Sequence, residues 1–459
     1  GRVSCTGSQL CAKAKMLTLQ MLSLDHSGFE SCLSDTENLL VIQDLDGVCM
    51  PLVNDPLTRV IAPAYLKAAT LLDGLFFVLT NGEHVGRRGL QTITEKALSK
   101  GALGDLESTT QTVKEAVAAE GLYLPGLAAG GVQWQDRQGN VSHPGVGQAE
   151  LDFLAQVPSL IEQALGNFLS AHCSTWSDNE RSQAVKASVL DNVASPTANL
   201  NSLHALFLAK GESVDLFVQL LQQMVSLMDN LLKSAAAKDL SDQFFVHYAP
   251  NLGRDGFMQE AVWFADEQTA GTTDFQFMLR GAVKEAGVLA LLNHYFFERT
   301  GHYPLGVDFN ARQAPRSLED MLKLAMQNFD SADMPLIVGV GDTVTSQGIE
   351  TSSGLTFKRG GSDRNFLQLI QNIGEAMEIP TLITYVDSSG GELSNRRAVR
   401  VERNEQGQAT IVGGIGDPRD EADPLKINVV FPGGPSQYCA SFQAAATKRH
   451  MTMSKSPVS

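Results

Sequence analysis

The 459-residue chain is 43% hydrophobic and 19% charged, a balance that can bury a large core and predicts two or more domains of a soluble enzyme. Its 35 basic and 51 acidic residues give a net charge of -16, which argues against general affinity for nucleic acid or anionic membranes and demands a local positive site for any anionic substrate. Six scattered cysteines (Cys5, Cys11, Cys32, Cys49, Cys173, Cys439) form no CxxC pair, so neither structural zinc nor a disulfide framework is expected and a reducing cytoplasm fits best.

Residues 1–15 lack the ordered regions of a signal peptide, and no apolar stretch approaches 18 residues, so no transmembrane helix is expected. Residues 1–29 read as an N-terminal extension, partly disordered or upstream of a natural start at Met16 or Met21. The first buried strand is predicted within 40–48, an apolar run closed by Asp44, Asp46 and Gly47. At i and i+2 the two carboxylates point the same way, while Leu45 points into the core. Two acids this close repel unless a cation or a shared proton lies between them. The pattern therefore suits either a Mg²⁺ site with a carboxylate nucleophile or an ordinary strand end with solvated acids.

A helix over 65–72 and a second apolar strand over 75–79 complete a right-handed βαβ unit, bringing Thr80 and Asn81 beside Asp44. Helices follow near 90–98 and 112–119, then a glycine-bent strand and hairpin over 127–140. From Gly145 to Ala270 the chain turns helix-rich, with a long amphipathic stretch over 214–237 and a strand over 244–248. An insertion of this size in an α/β core is expected as a separate domain. The α/β pattern is predicted to return at Phe275, with a helix opening at Lys284 and strands over 335–342, 381–386 and 427–431. Residues 347–361 read as an exposed hairpin, and the tail after Lys448 as disordered. The expected division is 1–29, core 30–144, insertion 145–270, core 271–448 and tail 449–459.

Four pieces, Asp44 with Asp46, Thr80 with Asn81, Lys284, and Asp342, occur in the order of the four motifs of the haloacid dehalogenase superfamily of phosphohydrolases, which the chain resembles from about 30 to 440. That resemblance implies a doubly wound, Rossmann-like core with an inserted α/β cap of the C2 type. It implies Asp44 as nucleophile, Asp46 as acid and base, and Thr80, Asn81 and Lys284 as phosphate-binding groups. Lys284 has the alternative of a solvated helix residue. Mg²⁺ is the implied cofactor, held by Asp44, the Asp46 carbonyl and Asp342. The second acid common shortly after that last Asp is absent, and Asp363 either replaces it as an outer ligand or caps the helix that follows.

Runs at 43–50, 79–86, 123–131, 191–199 and 247–255 further resemble the glucosylglycerol-phosphate phosphatase family. This implies release of phosphate from glucosylglycerol phosphate to leave a neutral compatible solute, with a small sugar phosphate as partner and a synthase of the same pathway as another. A phosphotransferase or mutase, and a non-catalytic sugar-phosphate sensor or synthase subunit, are the rival functions. Sugar contacts are sought at Glu83, His84 and Arg87 beyond the Thr80 motif, and at Asn199, His247, Asn251 and Arg254 in the insertion. Each of these has a structural alternative as a turn, cap or helix-start residue.

Overall fold

Leu39 to Ile42 alternate between two separate apolar cores: Leu39 and Val41 belong to one, Leu40 and Ile42 to the other. A strand buried on both faces in this way belongs to a parallel sheet with helices above and below. The computed structural model describes residues 10, 12–99, 111–254 and 259–454. In chain order the first strands are β1 (Leu39–Gln43), β2 (Phe76–Leu79), β3 (Gly126–Ala128), β4 (Gln133–Gln135) and β5 (Val141–Ser142). Next come β6 (Val189–Leu190), β7 (Thr197–Asn199), β8 (Phe244–Ala249), β9 (Asn251–Arg254), β10 (Glu260–Val262) and β11 (Asp274–Leu279). The last are β12 (Leu336–Gly341), β13 (Thr345–Thr351), β14 (Gly354–Gly360), β15 (Thr381–Val386), β16 (Arg400–Arg403), β17 (Ala409–Gly413) and β18 (Val429–Phe431).

The central sheet runs β18-β15-β12-β1-β2-β3-β4-β5. Strands β18 to β3 are parallel neighbours, and β4 and β5 extend the edge antiparallel. After β1, the chain builds β2 and β3 on one side and later returns to lay β12 on the other, so the strand order reverses between β1 and β12. That crevice is where open α/β sheets bind ligands. One face is covered by Ala12–Leu19, His26–Asp35, Pro63–Thr70 and Gly434–Ser454, the other by Lys284–Thr300, Leu318–Asn328 and Arg364–Met377. A second, four-stranded antiparallel sheet, β6-β7-β11-β8, carries its own apolar core against Val157–His172 and Val214–Ala237. Among the described residues no helix is long and apolar enough to cross a membrane.

Three expectations are corrected. Residues 12–29 are not an appendage: Ala14, Leu17 and Phe29 are fully buried, and the amides of Leu22 and Ser23 donate to Ile427 and Asn428 carbonyls at 2.8 Å. Residues 1–9 and 11 of that expected extension, and 455–459 of the tail, lie outside the described residues. The strand at Phe275 does not rejoin the central sheet; β11 lies between β7 and β8, and the chain re-enters the central fold with Lys284–Thr300. Asp274 and Gln276 alternate with Phe275 and Phe277, the pattern of a strand with only one apolar face, which suits an antiparallel sheet rather than the doubly buried parallel one. Finally, the last helix continues through Ser454, and Arg449 is buried, donating to the carbonyls of Leu33, Thr36 and Glu37.

Arg449→Ala would leave those carbonyls without their charged donor and is expected to lower the unfolding free energy by about 2–4 kcal/mol. Urea titration measures it; a change within about 0.5 kcal/mol would mean that the end of the helix adds nothing to the core.

Candidate active site

Asp44 is placed by the sheet ladder. Its amide donates to the Val340 carbonyl at 3.0 Å, one residue beyond the Gln43–Val340 register pair, so it lies against the end of β12 where Asp342 follows Gly341. The chain then turns back, with Gly47 N–H donating to the Met50 carbonyl. Gly47 has φ +82°, and a Cβ there would collide with the Asp342 carboxylate and the Ser388 side chain. Only glycine satisfies both the backbone and the space.

Lys284 is the first residue of its helix and is 3% exposed, which removes the solvated alternative. Its Nζ lies 2.8 Å from Asp44 Oδ2 and 2.7 Å from Asp363 Oδ1. Asp363 occupies the N-cap position of Arg364–Met377 but makes no side-chain cap bond. Its Oδ2 instead accepts the amides of Asp342 and Thr343 at 2.9 and 3.0 Å. Gly341 permits this, because a Cβ there would press on the Asp363 side chain at 2.7 Å. The hairpin of β13 and β14 thus returns Asp363 to the strand tips, which local sequence could not show.

Asp44, Asp342 and Asp363 are all buried and offer carboxylate oxygens within 4.8 Å of one another. Three carboxylates against one ammonium leave two negative charges uncompensated. Burial first, then Asp363, push the Asp44 carboxyl well above the usual range; the same causes push Asp342 up to about 7. Burial would also raise Asp363, but Lys284, the Asp342 amide and the neighbouring Asp44 carboxyl hold it below its ordinary value. Burial opposes the Lys284 charge, yet Asp363 and Asp44 hold its pKa above the usual lysine range. Asp342 Oδ2 is buried without a hydrogen-bond partner. Hard oxygen donors, a two-charge deficit and an unpartnered carboxylate oxygen fit a divalent cation such as Mg²⁺.

Thr80 follows β2 and is 3% exposed; its hydroxyl accepts the Gly82 amide at 3.2 Å. A Cβ at Gly82 would lie within 4 Å of Thr80 Oγ1, Asp46 Oδ2 and an Arg59 nitrogen, so this turn and Asp46 face the same space. Arg59 holds Asp46, with Nη1 at 3.2 and 3.1 Å from its two oxygens. Nothing in the local sequence singles out Arg59, which reaches Asp46 from a short helical turn at Pro56–Thr58.

A cleft between the strand tips and the second sheet is lined by Asp44, Asp46, Thr80, Asn81, Lys284 and Asp342 from below. Asn199, Asp274 and Gln276 line it from the second sheet, and Arg396 from the segment that follows β15. An adjoining cavity shares Asn81, Lys284 and Ser362 with it and contains His247, Asn251 and Arg254. Asn199 therefore faces the reacting groups, whereas His247, Asn251 and Arg254 lie to the side. Asn251 is consumed by bonds to Tyr248, Glu260 and Gly253, and Arg254 by Glu285 at 2.8 Å. Glu83 lines the cleft but spends its carboxylate on Gln133, Val193, Ala194 and Ser195. His84 is wholly buried outside both cavities, with its ring 3.0 Å from the Gly126 carbonyl and its pKa lowered by burial to about 4. Arg87 lines neither cavity; its neighbour Arg88 lines the cleft. Sequence reasoning missed Arg59, Arg88, Asp274, Gln276 and Arg396, although the alternation Asp274-Phe275-Gln276-Phe277 marks a strand with one polar face.

A family model described as glucosylglycerol-phosphate phosphatase matches residues 38–446. A glucosylglycerol-phosphate phosphatase from Synechocystis sp. is 53% identical over 440 residues, covering 96% of this chain and 100% of that one. Among solved structures, the C-terminal domain of trehalose-6-phosphate phosphatase from C. albicans aligns at TM-score 0.42 and 10% identity, covering 93% of this chain and 98% of that one. A trehalose-6-phosphate phosphatase from Aspergillus fumigatus aligns at TM-score 0.36 and 9% identity, covering 93% and 99%.

The acid cluster makes a direct prediction for metal binding. Calorimetric titration with Mg²⁺ should show one site, and Asp342→Ala and Asp363→Ala should each weaken it by about tenfold or more, the first by loss of a ligand and the second by loss of its support. Wild-type affinity in both variants would mean that the cation does not bind here.

Proposed function

Because this phosphatase belongs to the glucosylglycerol-phosphate phosphatase family, we propose that it hydrolyses glucosylglycerol 3-phosphate to glucosylglycerol and phosphate through an aspartyl-phosphate on Asp44. The observation that carries the proposal is the juxtaposition of Asp44, Lys284 and Asp342 at the tips of β1 and β12, with Thr80 at the tip of β2. A carboxylate is a suitable nucleophile because its acyl phosphate is labile, which divides one hard displacement into two easier ones. Asp44 attacks phosphorus and the ester oxygen departs, taking its proton from Asp46. Water then attacks the acyl phosphate while Asp46 receives a proton, restoring Asp44 and releasing phosphate.

Asp46 is a third exposed and lies at the open side, where a leaving alkoxide and an entering water pass. Arg59 Nη1 contacts both of its oxygens and fixes the carboxyl in place beside the Thr80 turn. Thr80 and the amides around Asn81 would hold the transferring oxygens, and Lys284 would balance their charge. Bound Mg²⁺, held by Asp44, Asp342 and the Asp46 carbonyl, would neutralise the phosphoryl oxygens so that two anions can approach. Asp363, with both oxygens already accepting bonds, is suited to orient Asp342 and Lys284 from behind the ligands.

The chain from 145 to 279 is proposed as a cap of the C2 type, which closes over the strand tips and excludes water during transfer. The neutral product suits a role as a compatible solute under salt stress in the cytoplasm, and a synthase of the same pathway is the proposed protein partner. Phosphate release without any acceptor would separate this hydrolysis from phosphotransfer.

Asp44→Asn should abolish turnover with the fold intact, and Asp46→Asn should slow it by about 10²-fold or more. EDTA should stop the reaction and Mg²⁺ restore it. Phosphate release from glucosylglycerol phosphate measures all of these, and substantial activity in Asp44→Asn would remove that residue as nucleophile. A second expectation concerns recognition. The ratio of kcat/KM for glucosylglycerol phosphate to that for p-nitrophenyl phosphate should fall in variants of Asn199, which faces the reacting groups, since polar groups left unpaired reject the wrong substrate. A wild-type ratio in these variants would move sugar recognition elsewhere.

A further inference from the structure

The second sheet has one face that breaks the usual rule for antiparallel sheets. Asn199 stands opposite Asp274 and Thr197 opposite Gln276, while His247 flanks Gln276 on the other side. Directly opposed residues share a face. Thr197, Asn199, Asp274, Gln276 and His247 therefore point one way, and Ala198, Phe275, Phe277, Val246 and Tyr248 point into the apolar core on the other. A polar sheet face is normally solvated. This one is roofed over the strand tips instead, and Thr197, Asn199, Gln276 and His247 are all buried.

Its polar groups are not used up internally. Gln276 Nε2 donates to Asp274 Oδ2 at 3.5 Å, but among the described residues Asp274 Oδ1, Gln276 Oε1 and His247 Nε2 are buried with no hydrogen-bond partner, at a cost of about 1–3 kcal/mol for each group left unmade. The Asn199 oxygen accepts the Asn201 amide, and among the described residues its NH₂ has no partner on the protein. Asp274 and Gln276 both line the cleft that contains Asp44 and Asp46. Two acceptors side by side call for donors, and a hydroxyl-rich ligand supplies them. A second anion would face Asp274 as well as the carboxylates below it; of the guanidinium groups in the same lining, Arg59 is held by Asp46, Arg88 by the Lys186 and Val189 carbonyls, and Arg396 is set against Asp274.

We propose that Asp274 and Gln276, flanked by Thr197 and Asn199, form a hydroxyl-reading subsite that binds the neutral polyhydroxylated part of the substrate and excludes ligands bearing a second negative charge. The subsite rests on the sugar-phosphate reading of the cleft and adds to it both the residues and the sign of the discrimination. Asp274 accepts from sugar hydroxyls and repels carboxylates, while Gln276 fixes orientation from the next position on the same face.

The test is direct binding, independent of turnover. Calorimetric affinities for glucosylglycerol, trehalose, glucosylglycerate and inorganic phosphate are compared in wild type, Asp274→Asn and Gln276→Leu, with thermal unfolding to verify folding. Wild type should bind neutral glycosides more tightly than glucosylglycerate. Asp274→Asn should narrow that preference by about tenfold, and Gln276→Leu should weaken glucosylglycerol about tenfold relative to inorganic phosphate. Wild-type preference in Asp274→Asn together with wild-type affinity in Gln276→Leu would overturn the subsite, as would failure of wild type to bind either neutral glycoside. Neutral-glycoside binding that responds to both variants, in an enzyme that does not hydrolyse glucosylglycerol phosphate, would defeat the substrate assignment alone.

Discussion

The structure depends on one ammonium group placed between carboxylates. Like charges about 4 Å apart at an effective dielectric near 20 repel by about 4 kcal/mol, and here three buried acids converge. Lys284 compensates one charge and bridges two of the acids, Asp44 and Asp363, by contacts of 2.8 and 2.7 Å. Backbone amides at the end of β12 hold the second oxygen of Asp363. Two glycines then become obligatory: Gly47, where the turn after β1 passes Asp342, and Gly341, where β12 passes Asp363. With all three acids ionised, two of their charges exceed what Lys284 balances, an arrangement compatible with a divalent cation.

The two sheets are joined by charge as well as by chain. Glu83, three residues past Thr80, accepts from Val193, Ala194 and Ser195 at the entrance to β7. Arg88 donates to the Lys186 and Val189 carbonyls on the same approach. Asn395 donates to Gly271 from the central side just before β11. The turn proposed to hold phosphate and the sheet proposed to read the sugar are thus hydrogen-bonded to each other, which is how specificity on one layer can be coupled to chemistry on another. Glu83, sought as a sugar contact, is spent on this junction.

The unpartnered acceptors above the cleft contrast with the saturated polar groups beside it. Asn251 and Arg254 are paired within the protein, whereas Asp274, Gln276 and His247 retain an unmade bond. Burial raises Asp274 to about 6 despite the nearby positive charge of Arg396. Natural proteins relax local rules where they meet ligands, and the cost is borne by the rest of the fold.

The sequence by itself determined several of the elements that position the site. The strand carrying Asp44, the βαβ unit that sets Thr80 beside it, the helix starting at Lys284, the hairpin after Asp342 and the long helix Val214–Ala237 were all legible, because periodicity, glycine and charge are local signals. Tertiary structure alone decided the rest. It returned Asp363 to the strand tips through a hairpin, placed Arg59 on Asp46 and removed His84 from the cleft. It also drew residues 12–29 and 449–454 into the fold. These outcomes turn on which distant surfaces meet. A residue's own neighbours in sequence describe its face and its propensity, but not the partner that will compensate its charge.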